Sequence, residues 1–394
     1  MYKNLTGQTI HYFARPQARV LREPLEIPAA WKGSEMTRRD DWREALTESD
    51  IEELDAALTA AKRTSKSMRT LGRDDFPLPT LSKKIDRWRS EITSGRGFQV
   101  LTGMPITRWS QHEAETFFWC FGLHFGIPGA QNPQGDLLGH VVDTGESPDE
   151  VRHYRTRVNI NFHCDAADVV GLLCLKKAKR GGLSRIVSSV SVYNELLRCR
   201  PEAVDRFYRP FMMDTKGEGG VQYLPVRPCR YDGNGLRTFY HTDYFRSAVG
   251  FRGQSLLSLE GRVLLDLYNE IAGSPKLYLD MDLQPGDIQL LSNHTILHAR
   301  TDYEDFPEPE RKRHLLRLWI SLPARAPLVT RLRTQRSRLG MVAVAAGFKL
   351  GHAIRRALRF STAIGSIRRS RTDKEATLRA PGWKTPPTRA LRPQ

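Results

Sequence analysis

The chain has 394 residues, 40% of them hydrophobic, and a formal net charge of +17. That length supports one large core or two domains, and no run of about 18 apolar residues is present to span a bilayer. The opening residues lack a charged stretch leading into an apolar one, and the five Cys form no C-x-x-C pair, so the expectation is a reduced, cytoplasmic protein without leader or disulfide framework.

The charge is uneven. From Pro323 to Gln394 there are 17 Lys and Arg against 2 Asp and Glu, a net of +15, which leaves +2 for Met1 to Leu322. The basicity belongs to a tail, so no specific nucleic-acid partner is expected of the body.

Residues 1 to about 45 read as an irregular, polar segment. "SDIEELDAALTAAKR" opens with Ser49 and Glu52 at capping-box spacing and continues with helical periodicity. A second helix is expected from Leu81 to Ile92, a buried strand in "GFQVLTGMP" ended by Pro105, and a helix with an aromatic face in "SQHEAETFFWCFGLHFG". The aromatic run within it, residues 117–121, reads as core. From Arg157 short strands dominate: "RVNINFH", "VVGLLCLKKA", and "GGLSRIVSS" after a Gly-Gly turn.

"VSVYNELLRCRPE" reads as a helix stopped before Pro201, "LRTFYHTDYF" as strand-like, and "SLLSLEGRVLLDLYNEIAG" as an amphipathic helix ending at Gly273. Four strands close the core: "KLYLDMD", "GDIQLLS", "HTILHAR" and "RHLLRLWISLP". The fold class is mainly β with flanking helices (α+β). Many short strands with few helices between them argue for a sandwich or barrel, not a doubly wound sheet.

The chemistry concentrates at "NFHCDAAD". In a strand, residues i and i+2 share a face, so His163 and Asp165 converge while Cys164 turns away. An imidazole and a carboxylate suit Fe(II), and two His with one carboxylate leave open positions on the metal. His298, 135 residues beyond His163, is the best third ligand. A second H-x-D pair, His241 and Asp243 in "YHTDYF", competes. The first pair is preferred because a core strand and then "GGLS" follow it, and because the long interval to His298 lets a barrel double back.

"ERKRHLLRLWISLP" puts Arg313, Leu315, Arg317 and Trp319 on one face and His314, Leu316, Leu318 and Ile320 on the other. Two arginines on an otherwise apolar face need anionic partners. Internal salt bridges and recognition of a small dicarboxylate both remain open on this pattern.

Together "HCD", "GGLS", "NHTILHAR" and "RKRHLLR" resemble, in order and chemistry, the taurine dioxygenase (TauD/TfdA-like) family of Fe(II)/2-oxoglutarate oxygenases. The resemblance is strong from about Asp136 to Leu322, weaker over Trp42 to Gln134, and absent from the tail. It implies a double-stranded β-helix of jelly-roll, clavaminate synthase-like form over residues 46–325. It implies Fe(II), 2-oxoglutarate and O2, with His163, Asp165 and His298 as metal ligands.

By the same resemblance Arg313 binds the distal carboxylate of 2-oxoglutarate, Ser184 shares that carboxylate where many relatives have Thr, and Arg317 lies near the metal-proximal carboxylate or the substrate. Asn293 supports the metal strand from behind. Relatives that halogenate leave the carboxylate position empty, and Asp165 fills it here, which implies hydroxylation or a related oxidation of a small molecule. Gln131, Asn132 and Asn161 are candidate substrate-lining residues, with hydrogen bonding in a Gly/Pro-rich turn as the competing reading. Tyr240, His241 and Asp243 fall where a lid or pocket wall is expected. His124, His140, His153 and His314 read as ordinary surface or hydrogen-bonded histidines.

Residues 326–394 set clustered Arg around the short apolar run Leu339 to Phe348, and end in a Pro-rich segment. Peripheral contact with an anionic membrane, non-specific binding of nucleic acid or an acidic partner, and a solvated extension without a function of its own all remain open. The alternative to an enzyme is a barrel-like binding or scaffold protein acting through this tail. Oligomeric state is not legible.

Overall fold

Alternation along the strands sorts the apolar residues onto two faces, and two sheets follow from it. The computed structural model describes residues 2–146, 155–216, 222–250 and 253–322. His153 and the tail from residue 326 lie outside the described residues.

The larger sheet sets Arg43–Ala45, Phe98–Thr102, Ile288–Ser292, Val169–Lys176, His314–Ser321 and Ile127–Gly129 side by side, with Leu138–Val141 also paired to His314–Ser321. The smaller sheet runs Tyr278–Met281, Ser184–Ser188, Ile296–Arg300, Ile160–His163. Within these sheets only Arg43–Ala45 pairs parallel to its neighbour. Phe98, Val100, Leu291, Leu315 and Trp319 from one sheet meet Ile186, Leu279, Met281 and Ile296 from the other in a shared core.

The intervening residues face outward onto helices. Leu290, Leu316, Leu318 and Ile320 pack against helices Glu48–Arg63, Leu81–Thr93 and Gln111–Phe125 through Leu54, Trp88 and Phe121. Val187 and Leu297 pack against helices Ser189–Cys199 and Leu259–Ala272 through Tyr193, Leu196, Leu265 and Tyr268. Each such large apolar side chain contributes about 1.5–3 kcal/mol on burial. The architecture is the expected double-stranded β-helix, and the 117–121 run is core throughout, Phe117 and Trp119 having no exposed surface.

The first 45 residues, expected to be irregular, include two helices and a short strand around an extended stretch of residues 14–32. Helix Leu5–Phe13 is capped by Asn4, whose side chain accepts from Gly7 N. Its Gln8, His11, Tyr12 and Phe13 are buried. The capping box of the following long helix is Thr47 with Asp50, two residues ahead of the expected pair. "LRTFYHTDYF" divides into a short strand, Leu236–Thr238, and a helix, Thr242–Arg246. Tyr240 O, between them, accepts the N–H of Cys164, so this segment is spent on holding the metal strand.

Candidate metal centre

Strand pairing brings the histidines together. In the smaller sheet His298 lies directly opposite His163, with ring centroids 4.1 Å apart. Asp165 sits just past the strand end, its carbonyl accepting from Ala167 N and its own N–H donating to Asn293 Oδ1 at 3.0 Å. One ligand atom from each of His163, Asp165 and His298 falls within 4.8 Å of the others, the one such cluster among the described residues. All three side chains are buried.

The protonation states fit a metal. His163 Nδ1 donates to Asn161 O at 2.9 Å, which makes Nε2 the ring nitrogen available to a metal. Burial, then the neighbouring His163, pushes His298 down to about 3, so it is a neutral imidazole. Burial alone would raise the Asp165 carboxyl. The Arg317 guanidinium, His298, His163 and the indole N–H of Trp319 together outweigh it and hold the carboxyl below the usual carboxylate range. Trp319 Nε1 donates to Asp165 Oδ2 at 2.9 Å, and Arg317 Nη1 lies 3.5 Å from the same oxygen. Two imidazole nitrogens and one ionised carboxylate make a donor set that suits Fe(II).

Arg317 is therefore shared. Its Nε donates to Gln131 Oε1 at 2.8 Å, while Gln131 Nε2 donates back to Arg317 O at 2.8 Å. Gln131 joins the site as the guanidinium's positioning partner. Asn132 does not join it: the side chain bonds Asp136 at 2.7 Å within its own turn, the outcome its Gly/Pro-rich surroundings allow.

A second polar cluster forms around Arg313. Its backbone N–H donates to Asp305 Oδ1 at 2.7 Å, but guanidinium Nη1 is buried and bonded to nothing. The hydroxyl of Tyr303 is likewise buried and interacts with the Arg313 guanidinium, its ring 5.2 Å from the guanidinium carbon. Gly182, at φ +69°, lets the chain pass: a Cβ there would sit 3.0 Å from Arg313 Nε. A buried guanidinium and a phenol hydroxyl beside each other suit a carboxylate. Ser184 donates its hydroxyl to Gln289 Oε1 at 2.9 Å. Arg300 lies on the other side of Tyr303, 4.8 Å from the ring, and donates to the carbonyls of Thr156 and Val158.

The second H-x-D pair is not remote. The His241 ring lies 5.2 Å from that of His163 and stacks flat on Tyr244 at 3.8 Å. Asn161 Nδ2 reaches toward Asp243 Oδ1 at 3.5 Å. Tyr240 is buried, its hydroxyl donating to Leu265 O at 3.0 Å. His124 bonds Phe76 O at 2.8 Å, and His140 bonds His314 at 2.9 Å.

Sequence reasoning missed Trp319's bond, Tyr303 and, most of all, Asp168. The Asp168 carboxylate, buried behind the metal loop, accepts from His11 at 2.6 Å, His294 at 2.8 Å, the Leu322 N–H at 2.8 Å and the Arg15 guanidinium. Gln8 adds a bond from Nε2 to Ala166 O at 3.0 Å, so helix Leu5–Phe13 braces the 165–168 loop from behind. Asn293, whose N–H donates to Asp168 O, joins the two halves, as its expected supporting role requires.

A jelly roll holding two His and an Asp at the end of paired strands defines the non-heme iron oxygenase class of site. The comparisons place the chain within it. Residues 61–319 match the model of the taurine catabolism dioxygenase TauD, TfdA family, and the chain belongs to that family. It is 30% identical to FR-33289 synthase of Streptomyces rubellomurinus over 83% of this chain and 98% of that one. It is 30% identical to the taurine hydroxylase-like protein SAT17 of Stachybotrys chartarum over 73% of this chain and 77% of that one. The fold also matches asparagine oxygenase in complex with Fe(II), 3-hydroxyasparagine and succinate, at 17% identity and TM-score 0.58, covering 71% of this chain and 93% of that one. The protein is an Fe(II)- and 2-oxoglutarate-dependent dioxygenase. Among the described residues no helix is long and apolar enough to cross a membrane.

Proposed function

We propose that His163, Asp165 and His298 hold the iron, that Arg313 and Tyr303 hold the distal carboxylate of 2-oxoglutarate, and that the enzyme oxidises an unactivated C–H bond of a small molecule with release of succinate and CO2. The observation that carries this reading is a neutral, buried His298 facing an ionised Asp165 in the same barrel as a buried guanidinium with an open N–H. When bound, the iron supplies O2 activation coupled to oxidative decarboxylation of the cosubstrate.

The residues do the positioning. Trp319 and Arg317 fix one carboxylate oxygen of Asp165, Asn293 fixes its backbone, and Asn161 fixes the His163 tautomer. No side-chain general base is assigned. The substrate lies on the side walled by Asn161, His241 and Asp243, with Arg317 and Gln131 at its edge. That mixture of acid, amide and guanidinium supports an amino-acid-like, anionic or natural-product substrate, and the fold is shared with an enzyme whose complex holds 3-hydroxyasparagine.

The cosubstrate assignment predicts that Arg313→Gln weakens 2-oxoglutarate about 10- to 100-fold, the loss of a charge-assisted hydrogen bond, and Tyr303→Phe about fivefold. An anaerobic titration of the Fe(II) protein reads both directly. Unchanged affinity in Arg313→Gln would place the cosubstrate elsewhere.

Residues 326–394 are proposed as an accessory that meets a membrane surface or an acidic partner, outside the oxygenase unit of 46–325. A chain ending at residue 325 is expected to form succinate with kcat/KM within about twofold of the full chain. Loss of turnover in that truncation, with the fold intact, would bring the tail into the machinery.

A further inference from the structure

The chain enters the metal strand through a stretch with little apolar surface to hold it. Residues 155–158 belong to none of the sheets, and pairing begins at Ile160. Of these four only Thr156 is buried, and Arg157 is exposed. What fixes the stretch is therefore hydrogen bonding to its main chain.

Three successive carbonyls are held by two residues. Arg300 Nη2 donates to Thr156 O at 2.8 Å and to Val158 O, and the N–H of Tyr303 donates to Arg157 O at 3.2 Å. Two further ties come from the preceding segment: the Thr144 N–H donates to Arg155 O at 3.0 Å, and Asp143 pairs with Arg157 at 3.0 Å.

The strand that Arg300 ends puts it in place for this. It lies two residues past His298 in Ile296–Arg300, and so on the same face. His298 opposes His163 and Arg300 opposes Ile160, two steps along one strand against three along the other, which is a break in register of the β-bulge kind. Asn161, inside that break, supplies the carbonyl that accepts from His163 Nδ1. The main-chain ladder ends where the histidine must be aimed, and the Arg300 guanidinium takes up the carbonyls beyond it.

The same guanidinium reaches the cosubstrate cluster. Its carbon lies 4.8 Å from the centre of the Tyr303 ring, and that of Arg313 lies 5.2 Å from it. Burial, then Arg313, pushes Arg300 down to about 10, so the two cations oppose each other where water screens them poorly. A carboxylate seated at Arg313 offsets that repulsion and strengthens the hold of Arg300 on its carbonyls.

We propose that Arg300 is a positioning residue that couples the cosubstrate cluster to the metal strand: a carboxylate bound by Arg313 and Tyr303 steadies Arg300, and Arg300 fixes residues 155–163 and with them the aim of His163. The coupling rests on the cosubstrate assignment made above.

The test is amide hydrogen exchange of the full-length Fe(II) protein, kept anaerobic, with and without saturating 2-oxoglutarate. It is read on peptides covering 155–163 and, for reference, on helix Leu81–Thr93 outside the larger sheet. In the wild type the cosubstrate should slow exchange over 155–163 about tenfold more than over the helix. Arg300→Gln should lose that difference. It should also bind Fe(II) about fivefold more weakly, less than the 10- to 100-fold typical when a ligand's direct partner is removed. Arg300→Lys keeps a cation and its donors, should restore part of the slowing, and carries the test where Arg300→Gln does not fold. An arginine with a merely structural role would loosen 155–163 equally with and without cosubstrate. A cosubstrate-dependent slowing that persists unchanged in both variants, or that is absent from the wild type, overturns the coupling while Arg313→Gln still weakens 2-oxoglutarate. Unchanged 2-oxoglutarate affinity in Arg313→Gln overturns the cosubstrate assignment and the coupling with it.

Discussion

Replacing Asp165 by Ala is expected to abolish turnover and iron binding together, if the proposed iron site is right. Anaerobic addition of Fe(II) and then 2-oxoglutarate to the wild type is expected to give a weak visible charge-transfer band, and Asp165→Ala to give none. Removing residues that merely support a ligand typically lowers metal affinity 10- to 100-fold, so loss of the ligand itself should exceed about 100-fold. The variant also leaves Trp319 Nε1 and Arg317 Nη1 without their shared oxygen in a buried setting. Asp165→Asn keeps the shape and separates the two effects: its fold should survive while its iron affinity falls. Circular dichroism distinguishes a folded, iron-free protein from an unfolded one. An Asp165→Ala protein that retained the band would remove Asp165 from the metal.

What the sequence could reveal of this site follows from distance along the chain. His163 and Asp165 are two residues apart, and Arg313 through Trp319 alternate within one strand, so local periodicity reports their faces. The opposition of His163 and His298 is a strand pairing between distant segments. The chain order of motifs suggested it, but periodicity alone does not choose a strand's partner. Tyr303 and Gly182 meet Arg313 through the small pairing of Arg180–Gly181 with Tyr303–Glu304, which leaves no hydrophobic pattern to read.

His241 illustrates the opposite error. Its apolar and aromatic neighbours read as strand, but Thr242–Arg246 turns into helix and stacks Tyr244 on the imidazole. A polar N-terminal helix was hidden for a related reason. Gln8, His11 and Arg15 look like surface residues, and they are buried or half-buried because the Asp168 carboxylate and the Ala166 carbonyl of the 165–168 loop accept from them.

That carboxylate is where the largest loss of stability is expected. Asp168→Ala leaves the Arg15 guanidinium, two imidazoles and the Leu322 N–H facing an empty, buried volume. Breaking a buried ion pair from one side costs about 3–5 kcal/mol, against a total of about 5–15 kcal/mol for a folded domain. Denaturant midpoints should therefore drop sharply, with Asp168→Asn intermediate, because the amide still accepts through one oxygen.

The pH dependence has a definite sign. Burial would raise the Asp168 carboxyl, but Arg15, His11 and His294 hold it well below its ordinary range, so its contribution is full above the unfolded value of about 3.9 and fades as pH falls below it. His294 is pushed down to about 4, chiefly by burial. The unfolded chain takes up that proton near pH 6.5, before the folded one does, so stability drains as pH falls from about 6.5 toward 4. His294→Gln should flatten this part of the profile. Because Asp168 O accepts from Asn293, and Asn293 Oδ1 holds the Asp165 N–H, the folded fraction of Asp168→Ala should also bind iron more weakly. Wild-type stability and iron affinity in Asp168→Ala would show instead that helix Leu5–Phe13 docks without this carboxylate.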